Sequence, residues 1–201
     1  MAGIPITREM VSEVKAEAIR AAVRGAQSLP SGTSTSRLAQ PGDAAELLAF
    51  LSDPAIHAPI YSLPQPLNLE TVTAWIEQHL KERDAGEGLL FLRMDGEQQI
   101  AGYSDLQIWP QWAAAELGGA IRPDMQNRGA GGAGAKTMFD WMFEKLGLEL
   151  ICETAALDNI RTAKLLDHLG FKRMGEIQST RADGTTRPSL VWEVTRGDWF
   201  G

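Results

Sequence analysis

The spacing of apolar positions changes several times along this chain, and each change predicts an element. From Thr7 to Gly25, Met10, Val11, Val14, Ile19, Ala22 and Val23 recur near helical spacing with charges between them, as in an amphipathic helix. Ser28 to Ser36 is rich in Ser, Gly, Pro and Thr and reads as a linker. Asp43 is placed to cap a helix running through Leu51, which Asp53-Pro54 ends. His57 to Leu67 is proline-rich and predicts a shaped loop. Leu69 to Arg83 predicts a helix with Val72, Trp75, Ile76 and Leu80 on one face. Leu89 to Met94 and Gln99 to Ile108 alternate as two strands about Asp95-Gly96, and Met174 to Arg181 and Leu190 to Thr195 repeat that pattern about Asp183-Gly184.

Between the two hairpins lies a glycine-rich run, Gln126 to Gly134, that leads into an amphipathic stretch ending near Leu146-Gly147. Four glycines in six residues let a ligand approach the backbone unobstructed. The helix that follows offers unpaired N–H groups and its positive dipole end, which suits a phosphate or pyrophosphate. Gly129, Gly131 and Gly134 match the dinucleotide fingerprint, and Glu153 lies nineteen residues past the last of them, near where a ribose-binding acid would sit. That fingerprint requires a buried apolar strand immediately before it. Arg122 to Arg128 is polar and contains Pro123, so a dinucleotide-binding oxidoreductase is the least favoured reading.

Gln126-x-Arg128-Gly129-x-Gly131 resembles the acyl-CoA pyrophosphate loop of the GNAT superfamily of N-acetyltransferases. Ala115 to Ile121 ahead of it resembles that family's central strand. Behind it, Leu150 to Thr154 reads as a short strand, and Asn159 to Phe171 resembles the Asn-x-x-Ser…Leu-Gly-Phe signature of the branch that acetylates N-terminal amines of ribosomal proteins. The resemblance implies an α+β fold with a mixed, mainly antiparallel sheet, splayed at the central strand, with helices on both faces. It covers about residues 35–199 and divides the chain into an N-terminal helical extension and linker, 1–34, and an acetyltransferase domain, 35–201. The extension reads as a helix packed on the domain or on a second subunit, or as a regulatory arm; a homodimer stays open.

Composition narrows the class further. A chain of 201 residues suits one domain. No run of about 20 apolar residues is present to cross a membrane, and no leader with a cleavage site opens the chain, which predicts a cytoplasmic protein. Cys152 is alone, and its apolar surroundings suggest a buried inert thiol. Three scattered histidines supply no metal-ligand spacing, so no metal is expected. A net charge of −7 argues against nucleic acid and mildly favours a cationic acceptor.

The resemblance also assigns roles. Acetyl-CoA would be the cofactor, its pantetheine arm held by the backbone of Ala120, Ile121 and Arg122. Its pyrophosphate would lie on Gln126, Asn127, Arg128, Gly129, Ala130, Gly131 and Gly132. Asn159 would contact the pantetheine arm, and Thr162, where the family usually has serine, would donate to the leaving thiolate. The tyrosine that another branch carries seven residues after the asparagine is replaced by Leu166. An amine must lose a proton before or during attack. Glu116, among Trp112, Ala113, Ala114, Ala115 and Leu117, is the expected base because partial desolvation raises a carboxyl's pKa. Glu153 is the second candidate, with a structural role favoured. Tyr61, Trp109 and Trp112 are candidate acceptor contacts, the tryptophans by stacking on a substrate or caging a cation. They serve equally well as a plug for the splayed sheet or as a dimer interface. The acceptor is expected to be an amine-bearing small molecule or a protein N-terminus. A catalytically silent acyl-CoA-binding or sensing domain is the remaining alternative.

Overall fold

The computed structural model describes residues 4–30, 35–125, 130–181 and 183–201. Its seven strands among the described residues are β1 (Thr35–Leu38), β2 (Gly88–Met94), β3 (Ile100–Trp109), β4 (Ala114–Ile121), β5 (Leu150–Ala156), β6 (Lys172–Thr180) and β7 (Thr186–Thr195). They form one sheet in the order β1-β2-β3-β4-β5-β7-β6. Every pairing is antiparallel except β4 with β5, which is parallel and confined to Ala114↔Leu150, Ala115↔Ile151 and Glu116↔Cys152. Beyond Glu116 the two strands separate, so the sheet is split at its centre. This is the expected mixed, mainly antiparallel architecture.

Helices cover the two faces unequally. On one face α1 (Glu13–Gly25), α5 (Ala130–Lys145) and α6 (Ile160–His168) pack over the sheet, burying Ile19, Val23, Phe139, Phe143 and Leu166 against Phe91, Ile108, Ile151 and Trp192. On the other face α2 (Ala44–Leu51), α3 (Pro54–His57) and α4 (Leu69–Ala85) bury Leu47, Leu51, Ile56, Val72 and Ile76 against Leu90, Leu92, Ile100 and Tyr103. That second core takes no residue from β5, β6 or β7. β2 supplies both cores, Leu89 and Phe91 to one and Leu90 and Leu92 to the other, which explains its unbroken apolar run.

Several local expectations are revised. The first helix begins at Glu13, capped by the Ser12 side chain, and not at Thr7. Its Ile19 and Val23 are buried in the same core as α5, so α1 packs on its own chain. Asp43 precedes α2 without a side-chain cap; its carboxylate instead pairs with Arg37 and accepts from the Gln40 N–H. The proline-rich segment opens with one helical turn, α3, capped by Asp53. On α4 the third buried position is His79, not Leu80. Gly86 ends α4 at φ 80°, and a Cβ there would lie 2.5 Å from the Arg20 Cβ of α1, so the turn and the docking of α1 both require glycine.

Candidate active site

The split between β4 and β5 places Glu116 and Glu153 on opposite sides of the sheet. Side chains alternate along a strand, and Ala115, Ile151 and Ala155 belong to the α5-side core. Glu116, Cys152 and Thr154 therefore project to the other face and Glu153 to the α5 side. There the Oε1 of Glu153 accepts the Leu117 N–H at 3.1 Å. That amide is the first on β4 to lose a partner strand, so Glu153 acts as a plug at the base of the split. Glu116 Oε1 accepts the Thr154 hydroxyl at 2.5 Å across the same gap.

Burial dominates the electrostatics of both glutamates. It pushes the Glu116 carboxyl up to about 7, helped by the charge of Asp105 and opposed by the Thr154 hydrogen bond. Glu153 is raised well above the usual carboxylate range by burial and then by the charge of Glu116. Between them Cys152 is buried, and burial pushes its thiol up as well, the behaviour of an inert thiol. Among the described residues no cluster of His, Cys, Asp or Glu is arranged to hold a metal ion.

A further carboxyl, half-buried, is one that the sequence did not single out. Asp105 lies on β3, and its Oδ1 is 2.9 Å from His79 Nε2. His79 Nδ1 lies 2.9 Å from the Trp75 carbonyl, which can only accept, so the ring carries a proton there and meets Asp105 as an imidazolium. Burial lowers the His79 pKa, but the hydrogen bond and charge of Asp105 more than offset it, and the net shift is upward. A signal for this pair existed in the sequence. His79 continues the Val72–Ile76 face of α4, and Asp105 continues the inward alternation from Tyr103.

The β3–β4 ladder decides which backbone groups face the split. Arg122 N–H reaches the Ala101 carbonyl on β3, whereas Leu117 N–H points toward β5. The register between β3 and β4 runs without a bulge. Alternation of an antiparallel ladder then turns Gly118, Ala120 and Arg122 toward β3 and Leu117, Gly119 and Ile121 toward β5. For Ala120 and Arg122 this corrects the expectation that their backbone lines the split: their hydrogen-bonding groups are on the wrong side of the strand. The Arg122 guanidinium is also engaged, with Asp95 at 3.1 Å and Asp124 at 2.7 Å. Ile121 and Gly119 are turned toward the split.

The other expected residues are spread over several elements. Asn159 caps α6, its Oδ1 accepting the Thr162 N–H at 3.1 Å, which brings both residues to the helix end beside the top of β5. Ala130, Gly131 and Gly132 belong to the start of α5. Gln126, Asn127, Arg128 and Gly129 lie outside the described residues. Trp109 and Trp112 stand at the closed end of the split, ring centroids 6.2 Å apart, and Arg8 already lies 4.8 Å from the Trp112 centroid. Tyr61 is far from them in the fold, facing Arg181 and Arg187 of the β6–β7 hairpin. Against a dinucleotide site, a 3-10 turn (Pro123–Met125) follows the strand where a βα turn would have to start.

Comparison with known proteins accounts for this arrangement. The family described as an acetyltransferase (GNAT) domain matches residues 35–172. The fold is similar to that of ribosomal-protein-S5-alanine acetyltransferase from Vibrio fischeri, with TM-score 0.70 and 19% identity over 87% of this chain and 99% of that one. Spermidine N-acetyltransferase from Vibrio cholerae, in complex with CoA and spermine, superposes with TM-score 0.68 and 18% identity over 85% of this chain and 100% of that one. RimJ from Mycobacterium smegmatis, in complex with CoA-disulfide, gives TM-score 0.67 and 19% identity over 85% of each chain. No curated sequence matches significantly. Because the family match spans more than half of the chain and takes in both strands of the split and α6, this protein belongs to the GNAT family of acetyltransferases.

Proposed function

We propose that the protein moves an acetyl group from acetyl-CoA to a primary amine by direct attack in a ternary complex, with Glu116 as proton acceptor. The observation that carries this reading is a carboxyl raised to about 7 at the base of a split strand pair. Such a group is largely ionised just above neutrality yet basic enough to take a proton from an amine. Proteins of the same fold bind CoA in complexes with spermine or as the disulfide, which supports the cofactor and the amine class.

The thioester supplies an activated acyl group. Around it, the backbone of Gly119 and Ile121 would meet the pantetheine amides, and the start of α5 with the glycine-rich sequence before it suits the pyrophosphate. Asn159 spends its carbonyl oxygen on the cap and retains its NH2 group for the pantetheine arm. The amine's proton passes to Glu116, directly or through water, as the N–C bond forms. The C–S bond then breaks, Thr162 donates a hydrogen bond to the departing thiolate, and water supplies the proton that makes free CoA.

Thermal melting with acetyl-CoA, CoA, NAD and NADP tests the cofactor. At about 100 times Kd a ligand specific to the folded state adds about 2.7 kcal/mol, which is roughly 5–10 °C for a domain of this size. The CoA species are expected to produce that shift and the nicotinamides none; a shift with NAD or NADP alone would overturn the assignment. Release of free thiol with amines then separates an enzyme from a silent acyl-CoA-binding domain. The pH profile offers a finer test. Asp105 raises the Glu116 pKa through its charge, so Asp105→Asn is expected to move the acid limb of kcat/KM to lower pH, by about half a unit for one screened charge. A limb that stays in place, or moves up, would remove Asp105 from the circuit.

A further inference from the structure

The sheet face that carries Glu116 is covered by helices only over β1–β4. Over β5 and β7 no core helix lies on it, yet Cys152, Ser189 and Val191 are fully buried there, so irregular segments of the chain cover it. At the lower end the chain's own N-terminal segment closes it: the Ile6 and Thr7 N–H groups and the Thr7 hydroxyl donate to the buried Glu193 carboxylate. At the upper end two arginines converge on one ring. The guanidinium carbons of Arg181 and Arg187 lie 4.3 and 4.1 Å from the centroid of Tyr61. Arg187 also donates to the Pro59 carbonyl at 3.0 Å, which ties the β6–β7 hairpin to the proline-rich loop.

These two cations lack the acidic partner that several other half-buried arginines have. Arg37 and Arg122 are each in a salt bridge with aspartate. Neither Arg181 nor Arg187 forms one among the described residues, and the Nε of each is buried without a hydrogen-bond partner. Asp158 is close enough to influence Arg187 electrostatically but does not pair with it. Two like charges brought together and partly desolvated, with donors unused, are costly unless an anion completes the site. Tyr61 holds both side chains in place through its ring.

Register places this pair relative to the chemistry. Thr154, which donates to Glu116, is opposite Val191 on β7, and Arg187 projects from the same face four residues further along. Four strand residues span about 13 Å, or three to four residues of extended peptide. We propose that Arg181, Arg187 and Tyr61 form an anion subsite that selects acceptors carrying a carboxylate near the reacting amine, namely peptides with an acidic side chain within about four residues of the N-terminus. Guanidinium forks recognise carboxylates in two-point contact, and like charge repels a polyamine from this end of the face. This inference rests on the acetyl-transfer reading above.

The test is thiol release by the full-length protein with acetyl-CoA and three acceptors: a peptide with glutamates at positions three and four, the same peptide with glutamines there, and spermidine. The wild type is expected to prefer the acidic peptide by about tenfold in kcat/KM, equal to about 1.4 kcal/mol. The preference should reside in KM and weaken with salt. Arg181→Gln with Arg187→Gln should bring the ratio toward one, whereas Arg181→Lys with Arg187→Lys should retain part of it. Melting with and without CoA reports that each variant is folded. Equal use of the two peptides by the wild type, preference for spermidine, or a ratio unmoved in the glutamine variant would overturn the subsite and leave acetyl transfer standing. Loss of the CoA shift in the glutamine variant would reassign the arginines to the CoA phosphates and also overturn it. Absence of transfer to any amine, with CoA binding intact, would instead overturn the enzymatic reading itself.

Discussion

Glu116→Gln is expected to lower kcat/KM by about 10²–10⁴-fold, the usual contribution of a positioned general base. The variant should also lose the acid limb near pH 7, because that limb reports ionisation of a carboxyl raised to about 7. The Gln side chain still accepts from Thr154, so local geometry is preserved and the loss is chemical. CoA binding, read by melting, should survive. A variant within threefold of wild type that keeps its acid limb would place the base elsewhere, with Glu153 a poor substitute because it faces the α5 side and caps Leu117.

The same substitution is expected to stabilise the fold. A carboxyl raised from 4.5 to about 7 keeps a proton in the folded state that the unfolded chain releases. Wild-type stability therefore falls as pH rises from about 4.5 to 7, by about 3 kcal/mol at about 1.4 kcal/mol per pH unit. Glutamine carries no such penalty. At pH 8 its melting temperature should exceed that of wild type by roughly 5–10 °C, and the gap should close below pH 4.5. Activity lost while stability is gained marks a group kept for function. A variant less stable than wild type at pH 8 would show that Glu116 contributes more to packing than ionisation costs.

Gly119→Ala should be the most damaging single methyl in the sheet. Gly119 sits at φ 152°, and a Cβ there would lie 2.4 Å from the Tyr103 carbonyl oxygen and 3.3 Å from the Ser104 Cα. Both obstacles are backbone of the neighbouring strand and cannot rotate away. Strain and overpacking of this kind each cost about 1–3 kcal/mol. A loss of roughly 2–5 kcal/mol is expected, read as a melting temperature lowered by about 5–15 °C. Because the methyl pushes β4 away from β3, toward the split, the CoA-dependent shift should shrink as well. Gly118→Ala is the internal control: a Cβ there finds its nearest neighbours at 3.7 Å, so that variant should remain close to wild type in stability. Equal melting of the two variants would refute the close approach at Gly119.

Much of the architecture was legible along the chain because it depends on local periodicity. Alternation at Leu89–Met94 and Gln99–Ile108 and the Asp-Gly turns predicted both hairpins, and the Val72–Ile76 face predicted α4. The motifs from Glu116 to Phe171 identified the family because each is a contiguous run with fixed spacing. Glu116 as a desolvated carboxyl could also be read from its neighbours, since Ala113, Ala114, Ala115 and Leu117 around it are all apolar.

What the chain could not reveal depends on which strands lie side by side. The ladder to β3 turns Ala120 and Arg122 away from the split and Gly119 toward it, and ladder parity is set by pairing, not by local sequence. His79 and Asp105 are 26 residues apart and meet only because α4 crosses β3. Tyr61 lies in the proline-rich segment, yet its partners Arg181 and Arg187 lie more than a hundred residues away. Periodicity and motif determined the elements, the family and the candidate base. Only tertiary structure decided which backbone faces the split, which charges are paired, and that Arg181 and Arg187, without a salt bridge among the described residues, meet over Tyr61.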